Sequence, residues 1–182
     1  MFIRVFRYFL CNNKYEYYYK DNRVKIKLSL TNIEQGKMKE LYEIGIVFRG
    51  FVLVNYEFKK IGKKENPKEV SKDLRGGFIS AINLFAKNAF NNLSLEYLES
   101  SNILFIFKAY EIQAADYDVK EPIILYGLVD KKKKDADKFV KRFLQKIDPI
   151  LTLFISRYAN KNLSEFNQFK PFQNEIKEFI LA

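Results

Sequence analysis

From Glu43 to Phe58, apolar residues recur at every second position. Ile44, Ile46 and Phe48 alternate with Gly45 and Val47, and Arg49-Gly50 turns the chain. Val52, Val54 and Tyr56 then share one face of a return strand, with Phe51, Leu53 and Phe58 partly on the other. Period two is the signature of strands, and apolar residues on both faces predict a central hairpin covered by helices on at least one side. After a lysine-rich loop, Ile61 to Lys72, the period lengthens. Leu74, Phe78, Ala81, Ile82, Phe85, Ala89 and Phe90 recur at spacings of three and four. These spacings predict a helix from Asp73 with a wide buried stripe, capped by Ser71 or Asp73. Gly76 and Gly77, in its first turns, each cost about 1 kcal/mol against alanine in a helix interior. Close approach of the helix to a sheet would offset that cost.

Three further strands are predicted at Leu93 to Leu98, Ile103 to Ile112 and Ile123 to Val129, with a tight turn at Ser100-Ser101-Asn102 and an acidic loop at Asp116 to Pro122. The last strand is apolar throughout and therefore central. A long helix beginning near Asp135 follows, with Phe139, Phe143, Ile147, Ile150, Phe154 and Tyr158 on one stripe and a kink expected at Pro149. A final helix runs from about Pro171 to Leu181, with Phe172, Ile176, Phe179 and Ile180 inward.

Residues 1–40 read as a β-rich extension preceding a main domain of residues 41–182. Met1 to Leu10 and Arg23 to Leu30 have strand patterns, separated by Asn12-Asn13, the tyrosine-rich Tyr15 to Tyr19 and the turn pair Asp21-Asn22. Gln35-Gly36-Lys37 marks the break. One expectation for the extension is a regulatory flap that pairs with a sheet edge.

Composition narrows the function classes. The 182 residues contain no His and one Cys, which excludes Ser–His and Cys–His nucleophile pairs, histidine-ligated zinc or iron, and an intrachain disulfide. The P-loop and three-glycine dinucleotide patterns are missing, and Gly76-Gly77, inside a helix pattern, is a poor phosphate cradle. The carboxylate pair Asp135/Asp137 suits the opening turn of a helix. The pair Asp116/Asp118 sits in a loop, where weak calcium binding competes with plain solvation. Neither pair supports a glycosidase or metal-hydrolase site.

The formal net charge is +10, which favours anionic partners, although lysine-rich solubilisation gives the same figure. The excess is concentrated in two blocks. In residues 59–75, seven basic residues face three acidic ones; in residues 131–146, eight face two. The aromatic residues of the second block fall on the buried stripe of its helix rather than between exposed charges, which disfavours nucleic-acid binding. Peripheral contact with an anionic membrane is the better use of these lysines. No run approaches the ~18 apolar residues of a membrane span and no signal-peptide pattern is present, so the expected location is cytoplasmic, with peripheral membrane contact as an extension of that.

The order hairpin, helix, three strands, two helices, from Glu43 to Leu181, resembles the longin domain, in particular the longin-like proteins of archaea. The resemblance is carried by the hairpin Glu43 to Phe58, the helix through Asp73-Leu74 and Phe85-Ala86, and the segment Phe169-Lys170-Pro171-Phe172. It implies a profilin-like α/β fold related to roadblock domains, with a central, mainly antiparallel five-stranded sheet flanked by helices. Two departures stand out: about 40 residues precede the first strand, and no SNARE heptad segment follows the last helix.

The resemblance implies a non-enzymatic scaffold in trafficking or GTPase regulation, without cofactor or metal. Its expected partners are a small Ras-like GTPase and a longin or roadblock subunit, in a homo- or heterodimer. The candidate partner-binding residues are Arg75, Phe78 and Asn83 on the first helix and Lys131, Lys132, Lys133 and Lys134 before the long one. The competing reading is a nucleic-acid-binding module using the basic extension from Arg4 to Lys39, with affinity falling steeply as salt rises.

Overall fold

The computed structural model describes residues 40–59, 72–90, 95–100, 102–131 and 135–181. The extension expected over residues 1–40 therefore lies almost wholly outside the described residues. Five strands form one antiparallel sheet: β1 (Leu41–Phe48), β2 (Phe51–Glu57), β3 (Tyr97–Ser100), β4 (Ile103–Ile112) and β5 (Glu121–Asp130). Three helices accompany them: α1 (Lys72–Ala89), α2 (Ala136–Tyr158) and α3 (Lys170–Leu181), the last preceded by a 3₁₀ turn at Phe166–Phe169. The sheet order is β2-β1-β5-β4-β3.

Strand alternation divides the core into two layers. On one side, Ile44, Ile46 and Phe48 join Ile123, Leu125 and Val129 of β5 against Phe143, Ile147, Ile150 and Phe154 of α2 and Phe172, Ile176 and Ile180 of α3. On the other, Val47, Phe107, Ile124, Tyr126 and Leu128 pack with Ile79 of α1. Among the described residues, one helix thus serves one face of the sheet and two serve the other. Gly127 faces α2 and has no room for a side chain: a Cβ there would stand 2.6 Å from the Phe143 ring. Asp135 caps α2 by accepting the Lys138 N–H at 3.1 Å, and α2 runs unbroken through Pro149.

The hairpin differs from its sequence pattern in two respects. It is not central as a unit, because β1 is interior while β2 is an edge strand. A bulge also breaks the period: Ile46 pairs with Val54 but Val47 pairs with Val52, so Leu53 is the extra residue. Val52 therefore turns toward the α1 layer, while Leu53 and Val54 belong to the α2–α3 layer. The turn itself places Arg49 at φ 49° and Gly50 at φ 82°, the paired left-handed geometry that two-residue hairpin loops favour.

The larger correction concerns α1. Of the expected buried stripe, Leu74, Phe78, Ala81, Phe85, Ala89 and Phe90 are exposed and Ile82 is half-buried. The buried positions are Gly76, Ile79 and Ala86, flanked by half-buried Arg75, Ser80 and Asn83. Two contacts fix this rotation. Gly76 seats directly on the hairpin turn, where a Cβ would overlap the Gly50 carbonyl oxygen and stand 3.2 Å from the Val52 nitrogen. The Gly50 N–H donates to Ser80 Oγ at 3.1 Å. The close approach expected of the glycine pair thus holds at Gly76. A Cβ on Gly77 would meet nothing within 4 Å.

Candidate partner-binding face

The strand Leu41–Phe48 is apolar except for Glu43, whose side chain points into the α1 layer. Glu43 is only 4 % exposed and is the one buried charged residue among those described. Three groups converge there. Arg75 of α1 forms an ion pair with it, Tyr126 of β5 donates its hydroxyl to Glu43 Oε1, and Asn55 of β2 donates its amide at 2.8 Å. Gly45, two residues along β1, leaves the space that the Tyr126 ring occupies: a Cβ there would stand 2.6 Å from the ring.

The electrostatics follow from this packing. Burial works against the Arg75 charge, but the Glu43 carboxylate outweighs it and raises the guanidinium pKa. Burial first, and then Glu43, push the Tyr126 hydroxyl well above the usual tyrosine range. The cluster is therefore a fixed, satisfied latch between α1 and the sheet, and no buried side-chain polar atom among the described residues lacks a partner.

Above the latch, α1 turns an uncharged face to solvent. Leu74 is 70 % exposed, Phe78 49 %, Leu84 58 % and Phe85 61 %; Gly77, Ala81 and Asn88 lie exposed between them. Ala81, Leu84, Phe85, Asn88 and Ala89 line a shallow apolar depression. A surface helix ordinarily shows its polar face to water. Here Arg75 and Asn83 lie toward the sheet, and the residues a core would claim face outward.

The candidate residues fall in different settings. Arg75 is held by Glu43. Phe78 stands on the exposed flank, with its ring edge-on to Phe105 of β4 at 6.3 Å. Asn83 donates to the Ile79 carbonyl at 2.9 Å. Lys131 pairs with Glu99 of β3, and Lys132, Lys133 and Lys134 lie outside the described residues. Lys138, Lys141 and Arg142 are exposed on α2, so this described basic row and the apolar face of α1 lie on opposite sides of the sheet. Phe78 alone among the candidates belongs to the apolar face.

The carboxylate pairs have structural partners. Asp116 and Glu121 both bind Arg49, whose hydrogen bonds hold the Asp116 carboxyl below the usual range. Asp137 accepts from the Tyr97 hydroxyl at 2.7 Å. Among the described residues, no group of three or more His, Cys, Asp or Glu could hold a metal ion, and no helix is long and apolar enough to cross a membrane.

Sequence reasoning missed Glu43, Asn55 and Tyr126. The available signal was a single carboxylate inside an otherwise apolar strand, two residues from a glycine. Strand order and layering are compatible with a longin-like fold. No protein-family model matches the chain, and no curated protein matches it.

Proposed function

We propose that this chain is a non-enzymatic, longin-like adaptor that works by binding protein partners, foremost a small Ras-like GTPase or a longin- or roadblock-type subunit. The observation that carries the reading is the placement of α1. Among the described residues it is the single helix on its side of a β2-β1-β5-β4-β3 sheet, and it is latched so that Leu74, Phe78, Leu84 and Phe85 face outward. Exposed apolar surface of this extent and continuity marks an interaction site. Neighbouring Phe78 and Phe105 supply the aromatic anchors that protein interfaces favour.

The separation of described charge from aromatic surface supports a protein partner over nucleic acid, which needs the two interleaved. The test is a titration of the purified chain against small Ras-like GTPases loaded with GDP or with a non-hydrolysable GTP analogue. Saturable binding that distinguishes the two nucleotide states is the expected result. Absence of binding in both states, across a panel, removes the GTPase from the proposal.

A further inference from the structure

We infer that the outward face of α2 is a second docking site, and that its occupant is an extended acidic segment of a partner protein. This site lies on the opposite side of the sheet from the apolar face of α1 and shares no residue with it. It therefore goes beyond the adaptor reading, and its test involves no GTPase.

Arg49, Lys59, Arg75, Lys108, Lys131 and Arg157 each hold a carboxylate. Lys138, Lys141 and Arg142, exposed on α2, and half-buried Lys146 differ from them. Among the described residues, no carboxylate pairs with any of these four cations. The acids of α2 leave the row uncompensated because each is turned toward a strand. Asp137 accepts from the Tyr97 hydroxyl of β3 at 2.7 Å. Asp148 accepts from the Tyr110 hydroxyl of β4 at 2.9 Å and pairs with Lys108. Asp135 is engaged in capping the helix. Like charges one turn apart destabilise a helix, and an anion lying across them relieves that repulsion.

Spacing specifies the anion. Lys138, Arg142 and Lys146 stand at i, i+4 and i+8, a single ridge about 12 Å long with ~6 Å between neighbours; Lys141 lies alongside it. In an extended chain, alternate residues share a face and recur every ~6.7 Å. Three carboxylates at alternate positions of an extended segment therefore meet the three cations of the ridge nearly in register. A partner helix fits less well, because the long side chains of the ridge oppose the close approach of two helix axes.

The rest of the face separates a protein from other anions. The uncharged exposed residues of α2 are Gln145, Thr152 and Ser156. They include no ring on which a base could stack and no large apolar group to enter a bilayer beside the cations. Gln145, next to the ridge, carries an amide that both donates to and accepts from a peptide backbone. The apolar residues that a membrane would take up are on α1, across the sheet.

The test is fluorescence anisotropy of a labelled peptide against the full chain at low and high salt. The peptide is a run of Glu-Thr repeats, whose β-branched threonines favour the extended chain, with Gln-Thr repeats as the uncharged control. Saturable binding of the Glu-Thr peptide that weakens at high salt, with none of the Gln-Thr peptide, is the expected result. Lys138→Glu/Arg142→Glu should lower that affinity by roughly tenfold or more, since it removes two exposed ion pairs and creates two like-charge contacts. Lys120→Glu/Lys170→Glu makes the same change in net charge at exposed positions before β5 and at the start of α3. It should leave the affinity within about twofold, because charges beyond a Debye length are screened. Wild type and both double variants should melt at similar temperatures, which separates loss of the site from loss of the fold. A single-stranded oligonucleotide and vesicles of equal parts phosphatidylcholine and phosphatidylserine are titrated in parallel, and both should bind more weakly than the Glu-Thr peptide. Absence of peptide binding, or an equal loss from both double variants, overturns the inference. So does tighter binding of the oligonucleotide or the vesicles through Lys138 and Arg142, which would make this face a nucleic-acid or lipid site.

Discussion

Gly76 and Gly77 are chemically identical neighbours in one helix, and the structure predicts that alanine has opposite effects at the two positions. Either substitution removes the helix-interior cost of glycine, about 1 kcal/mol. At Gly77 nothing opposes that gain, since the new methyl meets nothing within 4 Å. Gly77→Ala should therefore stabilise the domain by about 0.5–1 kcal/mol. At Gly76 the methyl would overlap the Gly50 carbonyl oxygen and crowd the Val52 nitrogen. Both obstacles are backbone, so no rotamer change relieves them. Either α1 retreats by roughly an ångström, loosening Ile79 and the Gly50–Ser80 hydrogen bond, or the turn opens. Overpacking of this kind costs about 1–3 kcal/mol, which leaves Gly76→Ala destabilising by about 1–2 kcal/mol after the helix gain. The gap between the two variants is then about 2–3 kcal/mol. At ~2–4 °C per kcal/mol for a domain of this size, their melting temperatures should differ by roughly 5–10 °C. Thermal and urea unfolding of dilute, monomeric protein reads it directly. Two variants that shift in the same direction by similar amounts would refute the seating of α1 on the hairpin turn.

Three further outcomes follow from the same packing. Glu43→Ala should cost about 3–5 kcal/mol in urea unfolding, because it leaves the partly buried Arg75 charge without its carboxylate; a loss under 1 kcal/mol would mean the latch contributes little. Gly127→Ala should cost about 1–3 kcal/mol by driving a methyl into the Phe143 ring, and a smaller residue at 143 should restore part of that in a double-mutant cycle. The raised Tyr126 pKa gives a signed pH dependence. Its stabilising contribution is complete below the ordinary value of 10.0 and is lost as pH rises through the higher folded-state value. The urea midpoint should therefore fall more steeply above pH 10 in wild type than in Tyr126→Phe, and equal slopes would contradict the burial argument.

The layered sheet was readable because its central strands and its two C-terminal helices keep their periods. Ile123 to Val129 is apolar on both faces because it lies between β1 and β4 with helices on both sides. Phe143, Ile147, Ile150, Phe154 and Tyr158 form one stripe because one sheet face receives them all. The hairpin was less readable, since Val52, Leu53 and Val54 are all apolar while the bulge at Leu53 switches the layer that Val52 enters. For α1, periodicity gave the helix but not its orientation. The spacing of Leu74, Phe78, Ala81 and Phe85 defines an apolar stripe without saying whether a sheet or another molecule covers it. Its orientation is set by Gly76 on Gly50 and by Arg75 on Glu43, contacts between residues far apart in sequence. For the same reason Arg75 and Asn83 read as surface residues, and the Glu43 cluster drew no notice.

The scaffold reading itself is tested most directly by capture of partners from native lysate on the purified chain, at low and high salt, with identification by mass spectrometry. The account predicts a small GTPase or a longin- or roadblock-type protein that stays bound at high salt, as expected for an apolar interface. Recovery of only nuclease-sensitive material that washes off with salt would contradict it and make the chain a nucleic-acid-binding module.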